Sequence, residues 1–143
     1  MVRATVFTLP DDLAFSAALA VRPVAGKVSR WIAGSENLLT RRAAEGVLTD
    51  ELTYNPVVVY GPTGVGKSAF VGMLAQLRTR TAHDTLLTTG SDFSRTFGRA
   101  VQQDALDTFR ARLRRLSVLV IDQVQDLAEK TPSQQELART IDA

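Results

Sequence analysis

The chain has no cysteine among its 143 residues, which excludes disulfides and thiolate metal sites. Its one histidine, His83, has no partner for a metal and no triad around it, and reads as a surface or strand-edge residue. No apolar run reaches the roughly 18 residues of a membrane span. Pro10-Asp11-Asp12 also interrupts the apolar stretch that a signal peptide would need. Charge of one sign is scarce: a formal net charge of +2 is too small to argue by itself for nucleic acid. Internal repeats and low-complexity segments are missing. What remains is one domain or part of one, with 45% hydrophobic residues to build a core. A soluble protein of the cytoplasm is the expectation, with no membrane partner.

Against this background one segment stands out. Gly61-Pro62-Thr63-Gly64-Val65-Gly66-Lys67-Ser68 fits the phosphate-loop pattern G-x-x-x-x-G-K-[ST] at every fixed position. A chance match in a chain of this length is on the order of one in a few hundred, given ordinary glycine usage. Asn55–Tyr60 before it reads as a buried strand, and Ala69–Leu77 after it as a helix, which is the context the motif requires. Glycines let such a loop turn sharply with no Cβ facing the ligand. Loop and first-turn N–H groups, from Gly61 through Ala69, then point at phosphates, and the helix dipole favours negative charge there. Lys67 supplies an ammonium for the outer phosphates and Ser68 a hydroxyl for magnesium. A nucleoside triphosphate with Mg2+ is the implied ligand.

Elsewhere helical and strand patterns alternate, which predicts a parallel α/β sheet. Residues 1–9 read as a short strand or a tail, 11–21 as a short helix, and 22–26 as a linker. Ser35 is the expected N-cap of a helix over residues 36–48. A strand is expected at 84–88, helices at 91–101 and 104–115, and a capping box Ser133-Gln134-Gln135-Glu136 at the start of a last helix. Phe93, Phe97 and Phe109 are at core spacing. Arg95, Arg99, Arg110, Arg112, Arg114 and Arg115 form a basic cluster that reads as a solvated helix face rather than a DNA contact.

Val118-Leu119-Val120-Ile121-Asp122 has the form of a Walker B strand, four apolar residues ending in a carboxylate. Ligands of open α/β sheets lie beyond the carboxyl ends of the strands. Asp122 is therefore the second expected magnesium residue, alongside Ser68. Many ATPases place an acid directly after this aspartate to orient the attacking water. Here the position is Gln123, whose amide can hydrogen-bond a water but cannot take its proton. General-base help is worth typically 10²–10⁴-fold, so the expectation is a site that binds ATP and hydrolyses it slowly or not at all. Whether the chain is an enzyme stays open.

Four segments together resemble the AAA+ nucleotide-binding region of the bacterial DnaA family of replication initiators. Trp31-Ile32-Ala33-Gly34-Ser35-Glu36-Asn37 is similar to the family's F-V-x-G-x-x-N segment. Asn55–Gly61 is similar to its N-P-L-F-L-Y-G, Ser91-Asp92-Phe93 to its approach to Walker B, and Val118–Leu127 to its L-L-I-D-D-I-Q-F-L. The likeness runs from about Trp31 to the carboxyl terminus. It implies a P-loop NTPase fold of the AAA+ type, a three-layer αβα arrangement with a parallel sheet. Residues 28–143 would be a partial domain, and 1–27 a segment or linker of its own. It further implies that Ile32, Ala33 and Asn37 lie by the adenine, that ATP or ADP is the nucleotide, and that Gln123 replaces the family's second aspartate. No guanine-specific N-K-x-D is present.

The family continues past Walker B into a sensor 1 strand, an arginine finger, a helical lid and a DNA-reading helix-turn-helix, and this chain stops before them. In the family's 5-1-4-3-2 strand order, the phosphate-loop and Walker B strands share strand 4 as a neighbour. Without it the two strands either pair directly or leave a marginal fragment. The resemblance thus points to an ATP-binding domain linked to replication initiation. The alternatives are an interaction protein that caps or titrates a full-length initiator, self-association included, or a fragment without a function of its own.

Overall fold

β-branched and aromatic residues alternate through Thr-Val-Phe-Thr and Arg-Trp-Ile-Ala, the residue types that favour a pleated chain. They form β1 (Thr5–Thr8) and β2 (Arg30–Ala33), paired antiparallel from Thr5 opposite Ala33 to Thr8 opposite Arg30. The computed structural model describes residues 5–8, 30–49, 55–80 and 84–142. The helix expected at 11–21, the linker at 22–26 and His83 lie outside them. The chain divides into two compact units, Met1–Thr81 and Ala82–Ala143.

In the first unit a 3-10 turn, Ser35–Asn37, leads from β2 into α1 (Leu38–Thr49). Ser35 is therefore inside the turn and does not cap the helix. Gly34 holds the N-cap position with no side-chain cap, and its carbonyl accepts the Asn37 amide at 3.2 Å. After the phosphate loop comes α2 (Lys67–Arg80). Phe70, Met73 and Leu74 recur at the three- and four-residue spacing of one helix face. They form a core with Ala44 of α1, covered by Leu48, Val59, Val71 and Leu77. Arg78 is also buried, and its Nη1 donates to the Leu48 carbonyl at 3.4 Å. That bond satisfies one of the carbonyls that the end of α1 leaves without a helical partner.

Residues 55–60, expected as a buried strand, are not one. Neither of the two described sheets includes them, and Val58 and Tyr60 are 70% and 91% exposed. An apolar β-branched run becomes a strand only where a neighbour takes its backbone hydrogen bonds, and this one joins no ladder among the described residues.

In the second unit β3 (Thr85–Thr89) and β4 (Val118–Asp122) pair in parallel, in register from Thr85 opposite Val118 to Thr89 opposite Asp122. Parallel neighbours need a crossover, here α3 (Gly90–Gln102) and α4 (Leu106–Arg114). The helix expected from Ser91 is capped earlier: Thr89 Oγ1 accepts the Asp92 amide at 3.1 Å. Phe93, Leu113 and Leu127 form the core, with Phe109 edge-on to Phe93 at 5.8 Å between ring centroids. Phe97 approaches the same ring at 6.0 Å.

A second 3-10 turn, Val124–Leu127, follows β4, and α5 (Thr131–Ile141) closes the unit. The expected capping box is overturned. α5 begins at Thr131-Pro132, where proline loses no helical bond. Ser133 is buried one turn in, its hydroxyl 2.9 Å from that of Ser94. Glu136, its side chain 3% exposed, accepts two 2.8 Å hydrogen bonds from Arg110 Nε and Nη2. Both side chains of the expected box are thus committed to tertiary contacts. Arg110 leaves the basic cluster for the same reason, and Arg95 pairs with Asp92. Arg99, Arg112, Arg114 and Arg115 are exposed. No helix among the described residues is long and apolar enough to cross a membrane.

Candidate functional site

The phosphate loop, residues 61–66, is exposed and ends where α2 begins. Gly64 and Gly66 have φ of +86° and +89°, values that side chains rarely adopt. A Cβ at either would meet nothing within 4 Å, so conformation and not space calls for glycine there. The Gly66 carbonyl accepts the Phe70 amide at 2.9 Å and starts the helical ladder. The N–H groups of the first turn of α2, at Lys67, Ser68 and Ala69, therefore face the loop with no helical acceptor of their own. The Lys67 ammonium arches back over the loop and donates to the carbonyls of Gly61 at 2.8 Å and Pro62 at 2.7 Å. This is an open, glycine-lined backbone at the positive end of a helix, with a lysine across it. The donor set fits a polyphosphate.

Of the residues assigned to the adenine, Ile32 and Ala33 lie in β2, the paired strand that precedes the 3-10 turn and α1. Asn37 closes the following 3-10 turn, with its amide nitrogen donating to Glu36 Oε1 at 3.3 Å.

Asp122 and Gln123 belong to the second unit. Asp122 is the last residue of β4, so its carboxylate emerges at the carboxyl end of the parallel pair. Its Oδ1 accepts the Gln123 amide at 2.9 Å. Gln123 itself is left-handed, at φ 53° and ψ 47°, and its side chain is exposed. Its carbonyl accepts the Asp126 amide at 2.9 Å. Asp126 Oδ2 in turn accepts the Ser91 hydroxyl at 2.8 Å, from the first turn of α3. Gly90, one residue earlier, comes so near that a Cβ there would be 2.7 Å from the Gln123 carbonyl oxygen.

Gly90, Ser91 and Asp126 carry no site role in the sequence motifs, although Ser91 and Asp126 fall in segments that resemble the family. Their signal is the Thr89-Gly90-Ser91 step from strand to helix, which marks a close backbone approach only once β4 is known to run beside β3. Among the described residues no three His, Cys, Asp or Glu side chains gather as a metal site would require. Hard oxygens of the kind magnesium takes are present in each unit separately, the Ser68 hydroxyl in the first turn of α2 and the Asp122 carboxylate at the end of β4.

Comparison with known proteins gives a consistent family. The description "Bacterial DnaA ATPase domain" matches residues 27–143. The chromosomal replication initiator proteins DnaA of Symbiobacterium thermophilum and Pelobacter propionicus are similar at 32% and 29% identity. The matches cover 79% of this chain in both cases, and 25% and 26% of those proteins. The chain thus spans about a quarter of the length of these relatives. Among solved structures, AMPPCP-bound DnaA from Aquifex aeolicus superposes with a TM-score of 0.72 at 22% identity, over 78% of this chain and 36% of that one. Domain III of the Thermotoga maritima replication initiation protein DnaA gives 0.70 at 26% identity, over 78% and 48%.

Proposed function

The chain belongs to the bacterial DnaA ATPase-domain family and carries the α/β P-loop fold of its AAA+ region, and on that premise we propose that it binds ATP or ADP with magnesium and serves replication initiation. The observation that carries the reading is the loop itself: Gly64 and Gly66 left-handed and open, Lys67 across the mouth, and α2 starting directly behind. A relative in this family is solved with the ATP analogue AMPPCP bound, which supports an adenine nucleotide as the ligand.

The residues divide the work by their chemistry. Backbone N–H groups of 64–69 hold the phosphates, and the ammonium of Lys67 moves from the loop carbonyls to the outer phosphates. The Ser68 hydroxyl and the Asp122 carboxylate are the hard oxygens assigned to magnesium, which when bound would supply positive charge to the phosphate oxygens. Ile32, Ala33 and Asn37 lie by the base. Gln123 orients a water without accepting its proton, so turnover is slow or nil. Replication initiation is the role of the whole initiators named above, and this chain contributes the nucleotide-dependent part of it.

Calorimetric titration with magnesium-ATP, beside a thermal melt, tests the proposal. Saturable micromolar binding with a raised melting temperature is the expected result. Absence of binding by a cooperatively folded chain would overturn it.

A further inference from the structure

Three hydrogen bonds run in series from α3 to the Walker B carboxylate. The Ser91 hydroxyl donates to Asp126 Oδ2 at 2.8 Å, the Asp126 amide to the Gln123 carbonyl at 2.9 Å, and the Gln123 amide to Asp122 Oδ1 at 2.9 Å. Every link lies within the second unit. We infer that Asp126 is a positioning residue: tied to Ser91, it holds Gln123 in its left-handed turn and thereby aims the Asp122 carboxylate. The inference rests on the nucleotide-site reading above and deepens it.

The physical case starts from Gln123. A left-handed conformation is costly for glutamine and persists only where its surroundings over-determine it. Apolar packing anchors only the far end of the turn, at Leu127, and does not reach Gln123 itself, because Gln123, Val124 and Gln125 are all exposed. What constrains the turn is polar and steric. Asp126 grips it twice, by its amide to the Gln123 carbonyl and by its carboxylate to α3. Gly90 lets the carbonyl come close. The carboxylate also stands at the amino end of α3, where the helix dipole favours it. With Oδ1 of Asp122 engaged by the Gln123 amide, its orientation at the strand end follows the turn. Release of the Asp126–Ser91 bond frees the turn, and the metal-facing carboxylate loses its fixed direction.

The test uses the full chain and the variants S91A, D126A and D126N, with two readouts. The first is the intraresidue HN–Hα nuclear Overhauser effect of Gln123, which is strong at positive φ. The second is the ratio of ATP affinities with and without magnesium. D126A and S91A are expected to weaken the Overhauser effect and to cut the magnesium enhancement roughly fivefold, the worth of one lost hydrogen bond. D126N keeps an acceptor for Ser91 and is expected to preserve both. An unchanged Gln123 signal in D126A and S91A would overturn the inference. So would a D126N variant as impaired as D126A, since the charge at the helix end would then be the cause. If D126A fails to fold, S91A, an exposed position, decides alone. Wild-type protein that binds no magnesium-ATP refutes the nucleotide reading, and the Overhauser comparison still decides the positioning role.

Discussion

The backbone of Gly90 lies against the Gln123 carbonyl so closely that a Cβ on residue 90 would come within 2.7 Å of its oxygen. The first residue of α3 therefore sets how the chain leaves the Walker B strand. A Gly90→Ala variant must push the turn away from α3, at a cost of about 1–3 kcal/mol, typical of overpacking. Urea denaturation measures the loss. If the turn moves, magnesium-dependent nucleotide affinity falls as well.

Lys67→Ala removes the ammonium that lies over the phosphate loop. Nucleotide binding is expected to fall below detection by calorimetry, with stability little changed because, among the described residues, the Lys67 ammonium bonds to exposed loop carbonyls. Equal affinity in the variant would refute the assignment of the loop.

Gln123→Glu and Gln123→Asp restore a carboxylate next to Asp122. Steady-state ATP turnover is expected to rise, up to about 10²-fold, the lower end of general-base help. Aspartate tolerates the left-handed backbone of this position better than most residues do. No gain in either variant, in folded protein with ATP bound, would remove Gln123 as the reason for slow hydrolysis.

Glu136 anchors α5 to α4. The hydrogen bonds from Arg110 hold its carboxyl below the usual carboxylate range, against the opposing effect of burial, with the charges of Arg110 and Arg139 adding to the lowering. Because the folded value lies below the unfolded one, the pair's contribution is fully present above roughly pH 4.3 and is lost as pH falls through the lowered folded value. Glu136→Gln is expected to lower the urea midpoint at pH 7. It should also remove up to about one proton's worth of pH dependence from stability between pH 5 and 3. An unchanged slope in the variant would show that other carboxylates set the acid limb.

Much of this could be read without coordinates. The spacing of the loop glycines, lysine and serine is a local requirement of a phosphate cradle, and the structure shows Gly64 and Gly66 in the conformations that requirement implies. Val118–Asp122 forms the strand its apolar run predicted. Phe93, Phe97 and Phe109 meet as their helical spacing implied. Each of these depends on residues a few positions apart, and local pattern carries that information.

Other features depend on who the neighbours are. Ser133 and Glu136 have the pattern of a capping box, yet their side chains bond to Ser94 and Arg110 across the fold, so a local pattern lost to tertiary partners. Residues 57–60 have the composition of a strand, but composition cannot provide a ladder. The phosphate-loop motif and the apolar strand that ends in Asp122 are written within short runs of residues, so the chain alone specifies them. Only the tertiary structure decided how Gln123 turns and what holds it. That turn is shaped by Gly90, Ser91 and Asp126, distant in the chain and brought together only when β3 and β4 pair.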